Sequence, residues 1–204
     1  REIYRGHDVQ NIAKRYELSA ICRSDMKEPV HEGIPVVVLD TIGELGRLYS
    51  LGDIIFVGGS LVKTGGHNIL EPAAHGKPIL VGPHMFNFKE IFALLNSRNA
   101  CEQVKNGKEL TAMVLRLCKD RDLAKKMGQN CLDIIKENIK KAVDLAGGPG
   151  YLWPHVKTHK MAQMVRLQME AGITRFKCAT IAEAEMAASC GAAHVLVAYP
   201  LVGP

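Results

Sequence analysis

Nowhere in the 204 residues is there an apolar run near the roughly 20 residues a membrane-spanning helix needs, and no secretory leader opens the chain. Aromatic residues make up only 5% of the sequence, with a single tryptophan. The lysines and arginines are scattered and form no basic stripe interleaved with aromatics, which argues against nucleic acid as a partner. None of the six cysteines (Cys22, Cys101, Cys118, Cys131, Cys178, Cys190) belongs to a C-x-x-C pair, and their spacing suits no zinc site. They read as buried free thiols of a cytoplasmic protein. His67 and His75 lack partners at metal-ligand spacing, so no metal is expected, and His75 reads as a hydrogen-bonded structural histidine. Charge imbalance is small. A net +5 reads as a solvated surface, or more sharply as attraction to an anionic membrane or acidic lipid. With 47% hydrophobic and 23% charged residues, the composition is that of a soluble globular chain of one or two domains. The first residue is Arg1, so the chain reads as an excerpt or a processed piece.

What is present is concentrated between Val38 and Leu94. Two β-branched runs bounded by glycine, Ile54–Val57 and Pro78–Val81, read as buried parallel strands. Between them lie the turn Gly65-Gly66-His67 and a short helix expected from Asn68 to Gly76. This is the order strand, glycine loop, helix N-terminus, strand. The glycines would let a ligand approach the backbone, and a helix start offers unpaired N–H groups to an anion. In an open α/β sheet such a crevice holds nucleotides. Asn68 and Glu71 have the N-x-x-E spacing of a capping box, with Asn68 capping and Glu71 reaching back. Glu71 could also accept bonds from a ribose diol, because a carboxylate has two oxygens.

Elsewhere the pattern alternates. A helix ending near Tyr16 should bury Val9, Ile12 and Ala13, with strands at Leu18–Arg23 and Pro35–Leu39. Thr41 precedes a helical face of Leu45, Leu48 and Tyr49, and Glu44 at its start would complement the helix dipole. Asn87 is the expected N-cap of a helix whose apolar side is Phe86, Phe88, Ile91 and either Leu94 or Leu95. A strand at Cys101–Val104 follows. Next come a helix with Leu110, Met113, Val114 and Leu117 inward, and a long helix from Arg121 to about Ala146, stopped by Gly147-Gly148-Pro149.

The pieces DTIGELGRLY, FVGGSLV, GGHNILEPAAHGKP and GPHMFNFKEI resemble, in order, the C-terminal domain of the 3-deoxy-D-manno-octulosonic acid (Kdo) transferases. The resemblance covers residues 1 to about 137. It implies a Rossmann-like C-terminal domain of a GT-B glycosyltransferase, with CMP-Kdo as donor and a lipid A precursor as acceptor. No cofactor is implied for this part. CMP would contact Ile42, Gly43 and Glu44, the turn Asn68, Ile69, Leu70 and Glu71, and Arg1 as the second member of a Pro-Arg pair. The implied N-terminal domain holds the acceptor site and the proposed catalytic base. This part is therefore expected to bind nucleotide without turnover. The implied setting is cytoplasmic, with peripheral association at the inner face of the inner membrane.

From about residue 138 to 204 the chain changes character, with the join near Lys136–Ile139. Expected elements are strand Leu152–Thr158, helix Met161–Ala171, strand Arg175–Ala179, helix Ile181–Cys190 and strand His194–Ala198. This alternation suggests an incomplete parallel β/α barrel fragment. PHVKTHK, CAT-x-x-EAE and LVAYPLVG resemble the start of the pyridoxal-phosphate barrels of the D-threonine aldolase and D-serine dehydratase type, related to alanine racemase. The resemblance implies that Lys157 would form the Schiff base with pyridoxal phosphate. It also implies that the barrel's remaining strands and its phosphate site lie outside the chain. The rival readings are thus a glycosyltransferase donor half, a fragment of a pyridoxal-phosphate enzyme, and a chimeric or non-catalytic nucleotide-binding fragment.

Overall fold

The computed structural model describes residues 5–26 and 33–199. The chain divides into two compact units, Arg1–Leu48 and Tyr49–Pro204.

In the first unit, α1 (Gly6–Arg15) lies against β1 (Ala20–Cys22), which pairs in parallel with β2 (Val36–Val38), Ala20 opposite Val36. The inward face of α1 is Gly6 and Ala13, two turns apart. Val9 and Ile12 are exposed, contrary to the expected apolar face. Small residues win the inward side because the helix runs close to the strand. A side chain at Gly6 would press on Asp40, its Cβ 2.9 Å from that of Asp40. A single turn, α2 (Leu45–Leu48), ends the unit.

The second unit is built on the parallel sheet β3 (Ile55–Val57), β4 (Ile79–Val81) and β5 (Cys101–Gln103), with β4 central and fully buried. The connections carry α3 (Leu70–Ala73) and α4 (Lys89–Ser97), and α5 (Gly107–Lys119) follows β5. Asn106 caps α5, accepting from the Lys108 and Glu109 N–H groups at 3.0 and 3.1 Å, as polar N-caps do. Of the two candidates on α4, Leu95 is the one inside. Asn87 is not an N-cap. It lies in a 3-10 turn, Phe86–Phe88, and donates to the Thr64 carbonyl at 3.2 Å.

The long α6 (Arg121–Leu145) is capped by Asp120 and runs through the expected join without a break. Beyond it come α7 (Ala162–Glu170), β6 (Arg175–Cys178), α8 (Ile181–Ser189) and β7 (His194–Val197), with β6 and β7 parallel. The parallel α/β alternation expected from the sequence is therefore observed. One expected strand is not. Leu152–Thr158 contributes only the bridge His155–Lys177 and then a 3-10 turn, Val156–Thr158. Pro154 supplies no N–H for a ladder, and the Thr158 hydroxyl turns back on the His155 carbonyl at 3.0 Å.

One hydrophobic core joins both halves of this unit. Ile79, Val81 and Leu95 belong to the same buried cluster as Ile134, Ile135 and Ile139 of α6, and as Val156, Val165, Leu167 and Phe176 beyond it. The thiols divide: Cys22, Cys101, Cys131 and Cys178 are buried as expected, whereas Cys118 is exposed and Cys190 half-buried. Among the described residues, no helix is long and apolar enough to cross a membrane.

Candidate functional site

The glycine loop after β3 is a folded scaffold held from both sides. Gly66 N–H donates to the Gly59 carbonyl at 3.0 Å, and the Thr64 hydroxyl donates to the same oxygen at 2.6 Å. The buried Ser60 hydroxyl donates to the Val57 carbonyl and accepts from Gly82 N–H at 2.8 Å, tying the end of β3 to the end of β4. Gly65 and Gly66 have φ of +92° and +73°, a region that favours glycine. The space a Cβ would need there is filled by protein. It would lie 2.2 Å from the Asn87 amide at Gly65 and 2.4 Å from the Met85 sulfur at Gly66. These glycines admit the 84–87 segment, so their sequence signal reports close packing between loops.

The turn that follows carries the polar groups. Asn68 Oδ1 accepts from Leu70 N–H at 3.0 Å, while Asn68 Nδ2 donates to Glu71 Oε1 at 3.2 Å. The expected Asn68–Glu71 partnership is present, though linked side chain to side chain. α3 itself is one turn long, with Ile69 rather than Asn68 as its boundary residue. The Ile69 side chain is fully buried in the core, so only its backbone is available to a ligand. Glu71 and Asn68 are half-buried. Tyr49 joins them: burial, and then the Glu71 carboxylate, push its phenol up to about 12. Its ring lies tilted against His75, centroids 6.4 Å apart. The structure thus gathers Tyr49, Asn68, Glu71 and His75. Tyr49 escaped the sequence reading because it fits the helical spacing of Leu45 and Leu48. The charge of Glu71 was the only clue to what it would face.

Arg1 is outside the described residues. In the first unit Ile42 is 83% exposed and Gly43 has φ of +91°. Glu44 accepts from the Thr41 hydroxyl and from Arg23 at 3.2 Å, and these contacts, Thr41 first, hold its carboxyl below the usual range. Glu44 therefore has an arginine partner that its position at a helix start does not reveal. Lys157 sits exposed on the 3-10 turn Val156–Thr158, not at a strand end. Its neighbour His159 is mostly buried, and its imidazole is pushed down to about 4 by that burial, against an opposing pull from Glu183. Glu183 belongs to a capping arrangement: Thr180 accepts its N–H at 3.2 Å while its own carboxylate accepts from Ala179 N–H at 2.7 Å.

Comparison with known proteins bears on both parts. The chain is 36% identical over 141 residues to the 3-deoxy-D-manno-octulosonic acid transferase of Haemophilus influenzae, covering 67% of this chain and 33% of that protein. It is 35% identical over 138 residues to the enzyme of the same name from Rickettsia prowazekii, covering 67% and 30%. The crystal structure of the C-terminal CMP-Kdo binding domain of WaaA from Acinetobacter baumannii superposes with a TM-score of 0.61 at 30% identity, covering 65% of this chain and 69% of that one. Over two thirds of its length, the chain belongs to the Kdo transferase family. The Kdo transferase region spans about a third of the length of the curated relatives it matches. Residues 131–202 match a second family, the alanine racemase N-terminal domain, and that match begins inside α6.

Proposed function

We propose that residues 1 to about 137 are the donor-nucleotide half of a Kdo transferase, and that residues 138–204 are a barrel-type segment joined to it within α6. The substrate is CMP-Kdo. The reaction of the whole enzyme is attack of an acceptor hydroxyl on the anomeric carbon of Kdo, with CMP leaving. The acceptor implied by the family resemblance is a lipid A precursor, met at the inner face of the inner membrane by a peripherally bound enzyme. The observation that carries the reading is the Asn68–Glu71 turn, in a chain 30% identical to a CMP-Kdo binding domain.

Within that turn the roles divide by chemistry. Glu71 Oε1 accepts from Asn68, and a carboxylate, with about four lone-pair sites, is the kind of group that accepts from ribose hydroxyls. The Tyr49 phenol, whose pKa burial and the Glu71 carboxylate raise further, can act as a donor beside it. Ile69 and Leu70 contribute through the backbone. Ile42, Gly43, Glu44 and Arg1 are assigned to CMP by family resemblance, and a guanidinium such as Arg1 suits a departing phosphate.

The deciding experiment is calorimetric titration of CMP into the parent chain and Glu71→Gln. A hydrogen bond to a charged group contributes about 1.5–3 kcal/mol. The variant should bind CMP about ten- to a hundredfold more weakly, since 1.4 kcal/mol is about tenfold. Its melting temperature should change little, because glutamine can still accept from Asn68. Equal affinities would remove Glu71 from the site. Undetectable binding to the parent would count against the donor-half reading.

The second part fits pyridoxal phosphate poorly. Its candidate Lys157 is exposed on a 3-10 turn instead of being seated at a strand end. No step is assigned to that cofactor, and the segment's part in the core of α6 supports a packing role.

A further inference from the structure

Cys22, His7 and Asp25 come together in the first unit although the chain separates them. Cys22 ends β1 and is fully buried. His7 lies in the first turn of α1, and Asp25 in the 3-10 turn Arg23–Asp25 that follows β1 directly. One donor atom from each lies within 4.8 Å of the other two, and Cys22 Sγ is 4.0 Å from His7 Nδ1. Gly6 lies beside the cluster, where a Cβ would stand 3.4 Å from the Cys22 sulfur. A fourth residue fixes the frame. Asp40 accepts from Ser24 N–H at 2.9 Å and from the Ser24 hydroxyl at 2.5 Å, so its carboxylate is engaged in holding the 23–25 turn.

We propose that His7, Cys22 and Asp25 bind one divalent transition metal of the zinc type, leaving a fourth coordination position open. The donor set decides the class of ion. A thiolate and an imidazole select zinc or cobalt, whereas calcium and magnesium call for all-oxygen cages. Metal–ligand distances of about 2.0–2.3 Å place neighbouring donors of a tetrahedral site roughly 3.3–3.7 Å apart. The observed spacings, all within 4.8 Å, are wider by up to roughly 1.5 Å. His7 and Asp25 are exposed side chains able to close that gap on the fixed sulfur. The His7 contact with Gln10 Oε1, 3.5 Å long, would be exchanged for the metal. Three protein ligands with an open position can also take an anionic or water ligand.

The test is cobalt(II) titration of the full chain, following the thiolate-to-cobalt charge-transfer band and the visible bands of tetrahedral cobalt. Both should saturate at about one equivalent and bleach when zinc is added. Cys22→Ala should abolish the thiolate band. His7→Ala and Asp25→Asn, which alter exposed positions, should each weaken cobalt binding by roughly tenfold or more. Cys118→Ser, which removes the exposed thiol elsewhere, should bind as the parent does. The proposal is overturned by a parent without the thiolate band, by a band that survives Cys22→Ala, or by parental affinity in both His7→Ala and Asp25→Asn. Loss of the band in Cys118→Ser would overturn it as well, by placing the cobalt on the wrong sulfur.

Discussion

Single side chains set how this chain responds to pH. His159 is neutral in the fold because burial depresses it to about 4, and its Nδ1 accepts from Met161 N–H at 3.1 Å. In the unfolded chain it titrates near 6.5. Between those values the unfolded state binds more protons, so stability falls as pH falls. The contribution is whole above about pH 6.5 and is lost progressively toward pH 4. Thermal melts should show the parent on the order of 2 kcal/mol less stable at pH 5 than at pH 7 on this account. His159→Gln should flatten that dependence, and an unchanged pH slope in the variant would assign it elsewhere. The residue scale is also where the sequence was most uneven. N-x-x-E announced Asn68 and Glu71 because capping chemistry is local. Tyr49 stayed hidden because its partners come from another part of the chain.

At the scale of elements, α6 carries an apparent contradiction. Gly128 sits in its interior, where glycine costs about 1 kcal/mol relative to alanine. Propensity alone would have Gly128→Ala stabilise the protein. The packing argues the opposite, since a Cβ at 128 would lie 2.0 Å from the Gly76 carbonyl oxygen. The obstacle is backbone, and it cannot swing aside. Gly128→Ala should therefore destabilise by about 1–3 kcal/mol as overpacking does, read as a lower midpoint in denaturant. A gain in stability would mean that the crossing is looser than described. Helices and buried strands were legible because their periodicity is a property of consecutive residues. The segment Leu152–Thr158 was misread for a matching reason: its apolar content resembles a strand, but Pro154 prevents the pairing. The glycine loop was found in its right place, yet its glycines face Met85 and Asn87, a contact that no local pattern encodes.

For the molecule as a whole, the family boundary and the physical boundary fall in different places. The racemase-type match starts at residue 131, whereas the compact units divide after Leu48. Homology therefore does not mark where the second unit could be cut. α6 is 25 residues of continuous helix, roughly 37 Å long at 1.5 Å per residue, and its Ile134, Ile135 and Ile139 share one core with residues from both sides of the join. A rigid rod embedded at both ends transmits rotation. In solution, amides of β4 and of β6 should relax with a single overall correlation time in nitrogen-15 experiments. Two distinct tumbling times would reveal a swivel in α6. With one time, residues 146–199 are ballast to the β3–β5 sheet, slowing its rotational diffusion and turning with it as a single body.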